Sequence, residues 1–191
     1  MGLRRGRRQT VCARGADRAS AFGRATSPLD GPGRKVTIRL TQPQSVEDWH
    51  QARLLLEEYA TSLNVDLWFQ EFAHEREHLT SEYGPPTGAF LLAEEKGACL
   101  GCVGVRQFSG SVAEIKRLYV VPAARGRRVG HILAESIVTL AKQLGYSQLL
   151  LDTLPSMKEA QSLYASLGFK PTSAYRFNPV PETVFLKLEL R

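Results

Sequence analysis

The chain has 191 residues, 43% of them hydrophobic, enough for one well-buried core and short for two. Its net charge of +6 is unevenly placed: residues 1–35 hold nine Lys or Arg against Asp17 and Asp30, whereas the rest holds sixteen basic against seventeen acidic residues, so the folded part carries no nucleic-acid footprint. Three cysteines (Cys12, Cys99 and Cys102) argue against a secreted disulfide framework and for a reducing compartment, and no run reaches the ~18 apolar residues of a membrane span, so a soluble, cytoplasmic protein is expected.

In residues 1–35, Arg4, Arg5, Arg7 and Arg8 precede Gly, Ser, Ala and Pro with no apolar stretch, so a secretory signal is not expected. Three readings stay open: a disordered basic arm, an organellar transit peptide, or sequence upstream of a start near Val36, the last favoured because a whole domain fits into residues 36–191.

From Val36 the pattern alternates. Val36–Leu40 reads as a strand, and Ser45 with Asp48 forms a capping-box signature opening a helix through Tyr59. Phe69–Tyr83 reads as a second helix, charged over most of its surface and so expected outside or over a cleft, ended by Gly84-Pro85-Pro86. Ala89–Glu94, Cys99–Gln107 and Val112–Val121 form an antiparallel meander. Gly130–Leu144 is an amphipathic helix, Gln148–Thr153 a short apolar strand, and a helix begins at Pro155-Ser156 with Ser156 and Glu159 as its capping box, ending at Gly168. Thr183–Leu190 is the last strand. The sum is an α/β domain with a mixed sheet, antiparallel first and then closed by a right-handed strand-helix-strand unit.

The most informative segment is Ala113–Leu133, where a strand runs into a Gly- and Arg-rich loop that opens a helix. Such a loop aims unpaired backbone N–H groups at one spot, and the helix dipole and Arg125, Arg127 and Arg128 add positive charge, which suits a pyrophosphate; Gly126 and Gly130 let the backbone approach it.

Here the sequence resembles the GNAT acetyltransferase superfamily, whose acetyl-CoA loop runs Gln or Arg, two residues, Gly, one residue, Gly or Ala. Arg125 and Gly130 fill the first and last positions, and Arg128 replaces the middle Gly. A second motif, Ala160-x-x-Leu163-Tyr164-x-x-x-Gly168-Phe169, also matches, so the resemblance spans residues 36–191. It implies the GNAT fold, with acetyl-CoA entering a splay between the strands Glu114–Val121 and Gln148–Thr153, and transfer to a primary amine of a small metabolite. Acetylation of a protein amine and a non-catalytic acyl-CoA-binding module are the alternatives. It further implies Glu114 as general base, Tyr164 as the acid that protonates the thiolate, backbone groups of Leu118, Tyr119 and Val120 for the acetyl carbonyl and pantetheine arm, and Arg125, Gly126, Arg127, Arg128, Val129, Gly130 and His131 at the pyrophosphate. Met157 stands where the family keeps an Asn. Lys116 shares a strand face with Glu114, and its charge would weaken a base there, so Glu114 as base or as substrate ligand stays open. Lys116, Asp66 and Gln70 are candidate acceptor-binding residues. A monomer or homodimer with no metal, nucleic acid or membrane partner is expected.

Two patterns point elsewhere. His74-Glu75-Arg76-Glu77-His78 spells a zinc-protease motif, but its charged interior suits an exposed helix rather than one crossing a core. Cys99-x-x-Cys102 lies in a strand, where residues three apart face opposite sides, so it reads as two small strand residues.

Overall fold

The structure is a computed structural model that describes residues 37–63 and 72–190. Period-two alternation explains most of its sheet. In β2 (Ala89–Glu95), Ala89, Leu91 and Ala93 turn to one buried cluster and Phe90 and Leu92 to another on the opposite face. The first cluster is covered by α4 (Val129–Gln143) through Leu133, Ile137 and Leu140; the second by α1 (Val46–Ser62) and α3 (Leu79–Tyr83) through Leu55, Leu56, Leu79 and Tyr83. Helices on both faces explain why β3 (Ala98–Ser109) is an almost unbroken apolar run from Cys99 to Val105.

The sheet has seven strands in the order β1-β2-β3-β4-β5-β7-β6, with β1 at Arg39–Thr41, β4 at Val112–Val120, β5 at Gln148–Thr153, β6 at Lys170–Pro171 and β7 at Val184–Glu189. Every pairing is antiparallel except β4 with β5, which is joined through α4 as the strand-helix-strand pattern requires. The remaining helices are α2 (Phe72–Glu77) and α5 (Lys158–Ser166).

Local signals explain several boundaries. Ser45 Oγ accepts from the Asp48 N–H while Asp48 Oδ2 accepts from the Ser45 N–H, so the capping box of α1 is complete. The expected box at Ser156 and Glu159 does not form: α5 starts two residues after Ser156, with Met157 as its cap, and Gln161 Nε2 reaches back to the Leu154 carbonyl at 2.9 Å. The expected helix Phe69–Tyr83, whose first three residues lie outside the described ones, breaks at His78 into α2 and α3, and its charged residues are not all on the outside, because Glu75 is only 2% exposed. Cys99 and Cys102 lie in the same cluster, not on opposite faces; a bulge opposite Ala93 and Glu94 inserts one residue between them and restores the side-chain phase. The two-residue β6 was not foreseen. The basic segment 1–35 lies outside the described residues.

Candidate active site

The parallel ladder between β4 and β5 is short. Val112, Ala113 and Glu114 pair with Gln148, Leu149 and Leu150, and there it stops. Beyond that point β4 stays with β3 and β5 stays with β7, so the two central strands separate. The parting coincides with a bulge in β4, where Arg117 and Leu118 oppose the single residue Val103 and Arg117 takes φ 60°. The cleft between the strands is lined by Ile115, Lys116 and Leu118 on one side and Asp152, Thr153 and Leu154 on the other, with Tyr59 from α1, Tyr164 from α5 and Asn178 closing it.

The loop before α4 follows the end of β4 that lies beyond its last pair with β5. Gly126 has φ 75° and Arg128, the cap of α4, has φ 60° in the left-handed region. The first intrahelical bond runs from the Ile132 N–H to the Arg128 carbonyl at 3.1 Å, and among the described residues no acceptor takes the N–H groups of residues 126–131. Those donors and the positive end of a fifteen-residue helix are chemically suited to an anion. Two of the three arginines are turned onto the protein: Arg125 Nε donates to the Val120 carbonyl at 3.2 Å, and Arg127 pairs with Glu95 at 2.8 Å. Arg128 stays exposed, and His131 lies 3.2 Å from Glu135 one turn along the helix.

Glu114, 1% exposed, sits behind the cleft rather than on its wall. Its Oε1 accepts from the Tyr175 hydroxyl and from Arg176, each at 2.9 Å, and its Oε2 meets Arg106 at 3.5 Å. Arg106 in turn bonds Glu82 of α3. Lys116 Nζ lies between two carboxylates, 3.9 Å from Glu114 Oε1 and 3.8 Å from Asp152 Oδ1, and Asp152 Oδ2 accepts from Asn178 at 2.7 Å. Burial lowers the Lys116 pKa to about 8, against the upward pull of Glu114 and Asp152. Because the folded value lies below the unfolded one, the unfolded chain binds more protons between these values, and stability from this group rises with pH across that window. The unfolding free energy of the wild type minus that of Lys116→Met should therefore rise from pH 8 to pH 10 in urea titrations; a flat difference would contradict the buried, desolvated placement.

Behind the β4 bulge lies a second ion pair. Arg117 Nε and Nη2 reach Glu75 Oε1 and Oε2 at 2.8 and 2.5 Å, and the Tyr83 hydroxyl donates to Glu75 Oε1 at 2.6 Å. The guanidinium also stacks over Phe72 at 5.1 Å and Tyr59 at 5.9 Å. Burial pushes the Glu75 pKa up, but the hydrogen bond and charge of Arg117 outweigh it and hold it below the ordinary carboxylate value. Glu75 thus spends both oxygens on Arg117 and Tyr83, and His74 and His78 stack on each other at 4.1 Å, outside the buried pair.

The acetyltransferase (GNAT) family profile matches residues 49–169. The chain belongs to the GNAT family. An uncharacterized N-acetyltransferase of Schizosaccharomyces pombe is 41% identical over 150 residues, covering 78% of this chain and 90% of that protein. Among solved structures, an acetyltransferase from Streptococcus agalactiae superposes with TM-score 0.67 at 20% identity, over 80% of this chain and 98% of the other. The acetyltransferase yncA from Salmonella typhimurium, solved with acetyl-CoA, gives 0.58 at 19% identity over 81% and 94%. The mixed sheet of this GNAT domain is therefore that of the fold family, and the chain is an acyltransferase.

In this GNAT enzyme the residues singled out from sequence fall into three places. Leu118 and Tyr164 border the cleft, and Leu118, Tyr119 and Val120 all lie on the part of β4 beyond the last β5 pair. Residues 125–128 form the loop before α4, and residues 129–131 are its first turn. Lys116 reaches the cleft wall, whereas Glu114 lies inside the charged network. Asp66 and Gln70 lie outside the described residues. Sequence reasoning missed Arg106, Asp152, Tyr175 and Arg176. Asp152 left a trace, a single carboxylate near the end of the apolar run Leu149-Leu150-Leu151; Tyr175 and Arg176 fall in a stretch without periodicity and left none.

Proposed function

We propose that this enzyme transfers the acetyl group of acetyl-CoA to a primary amine of a small molecule. The observation that carries the reading is the run of backbone N–H groups over residues 126–131 that no described residue accepts, in the segment that follows the opened part of β4. A pyrophosphate at that loop would lay its attached arm along the open edge of β4, and the thioester would reach the inner cleft, where Tyr164 stands. Two structural neighbours support this donor: yncA was solved with acetyl-CoA, and the paia N-acetyltransferase of Thermoplasma acidophilum, 16% identical with TM-score 0.62, in complex with coenzyme A.

The assigned roles follow from placement. The Leu118 backbone lies at the bulge, where an N–H can meet a developing oxyanion. Tyr164 is 6% exposed, and its hydroxyl makes no hydrogen bond among the described residues. Burial, reinforced by Tyr59 and Asp152, raises its pKa, so the phenol stays protonated and can donate to a leaving thiolate. Glu114 anchors Arg176, Tyr175 and Arg106 and so shapes the acceptor side of the cleft. A cleft narrowed by Tyr59, Asn178 and Leu63 favours a small acceptor over a folded protein surface.

Incubation with acetyl-CoA and a panel of free amino acids, polyamines and short peptides, read by mass spectrometry, tests the proposal. N-acetylated small amines are expected. Products from peptides alone would overturn the acceptor class, and no product from any amine would overturn acetyl transfer.

A further inference from the structure

We propose that Asp152 is the carboxylate that receives the acceptor amine and takes its proton. The inference rests on the acetyl-transfer reading above and adds the group that activates the nucleophile.

Three observations carry it. First, Asp152 lies two residues past Leu150, the last β5 residue paired with β4, so its backbone belongs to the opened part of the sheet and its side chain borders the cleft. Second, its oxygens are differently engaged. Oδ2 accepts from Asn178 at 2.7 Å, which fixes the carboxylate plane, while among the described residues Oδ1 has only the 3.8 Å ion-pair contact with Lys116, too long for a hydrogen bond, and keeps lone pairs for an incoming N–H. Third, Glu114, the other carboxylate near this point, is withdrawn from the cleft wall and accepts from Tyr175, Arg176 and Arg106. A proton acceptor must lie within hydrogen-bond reach of the amine, and Asp152 alone of these two carboxylates borders the space an amine can occupy.

The groups around Asp152 suit the task. Lys116 faces it from β4, Tyr164 from α5, Tyr59 from α1, and Tyr175 and Asn178 from the segment before β7, while Glu114 and Arg176 act on it through Lys116. Lys116 balances the charge of Asp152 at a distance, and the tyrosines stay neutral because burial raises their pKa values. An acceptor arriving as an ammonium ion gives one proton to Asp152 Oδ1. The freed nitrogen lone pair forms the C–N bond, and collapse of the tetrahedral adduct breaks the C–S bond. Tyr164 gives its proton to the departing thiolate, the second proton on nitrogen restores the phenol, and Asp152 later releases its proton to water. The products are the N-acetyl amine, the free thiol and one proton.

Asp152→Asn keeps the shape and an oxygen for Asn178 but cannot take a proton. With the amine panel above, its kcat should fall about 10²-fold or more while the dissociation constant for acetyl-CoA stays within twofold of wild type. Its residual rate should climb tenfold per pH unit through pH 8, because the amine must now arrive already neutral, where the wild-type rate levels off. An unchanged kcat with an unchanged pH profile, in a wild type that does acetylate amines, would overturn the role of Asp152 and leave acetyl transfer standing. Absence of transfer by the wild type itself would overturn both.

Discussion

Tyr164→Phe should lower kcat by about 10²-fold or more, equivalent to about 2.7 kcal/mol of transition-state stabilisation, with little change in fold stability or acetyl-CoA affinity. The asymmetry follows from how the ring is held. Tyr164 packs edge-on against Phe169 with centroids 5.5 Å apart, a contact Phe reproduces. Its hydroxyl contributes no hydrogen bond among the described residues and opens onto the cleft, so its removal leaves no partner stranded. Deletion therefore isolates the chemical contribution: without the phenol, the thiolate must leave unprotonated or draw its proton from water. Steady-state kinetics with an acetylated amine, beside thermal melts, measure it. A variant with wild-type kcat would show Tyr164 to be a core aromatic only.

The largest effect on stability is expected at Glu75. Glu75→Ala should cost about 3–5 kcal/mol, because it leaves the Arg117 guanidinium buried without its counter-charge and the Tyr83 hydroxyl without its acceptor. That is a large share of the ~5–15 kcal/mol by which domains are held folded. The double replacement Glu75→Leu with Arg117→Met removes both charges and should recover most of the loss, since an apolar pair of similar volume avoids the desolvation penalty. The pH dependence has a definite sign. The folded pKa of Glu75 lies below the unfolded value, so its contribution is complete above the ordinary carboxylate range and fades as pH falls through the depressed folded value. Urea unfolding of the two variants at neutral pH decides the matter: equal stability of wild type and Glu75→Ala would mean that the pair contributes nothing net. Because Arg117 occupies the left-handed residue of the β4 bulge, the ion pair also holds the turn at which the central strands part.

Local interactions made much of this legible from sequence. The box at Ser45 and Asp48 spans three residues and closes as the residue types require. Gln148–Thr153 has the same bounds in sequence and structure, because an apolar run between Gly145 and Pro155 has few other ways to bury itself. The splay was placed between the right strands, and the Arg-Gly loop does open a helix. What stayed hidden depends on contacts distant along the chain. Glu75 looks like one more charge on a polar helix until Arg117, forty-two residues later, is brought against it. His78 interrupts the helix without a Gly or Pro to announce the break. The phase slip that puts Cys99 and Cys102 on one face belongs to a two-strand register, which one strand's own sequence does not contain. Ser156 has a residue type suited to capping, yet α5 starts beyond it. Glu114 was legible as a strand carboxylate, but its partners Tyr175 and Arg176 come from a segment 61 and 62 positions away.

The most direct test of the central claim is calorimetric titration of the purified protein with acetyl-CoA, with a nicotinamide dinucleotide and zinc as parallel titrants. Saturable binding of acetyl-CoA at one site, with neither control binding comparably, is the predicted result; absence of acetyl-CoA binding, or preference for either control, would contradict the assignment of residues 125–131 and the β4–β5 cleft as the donor site.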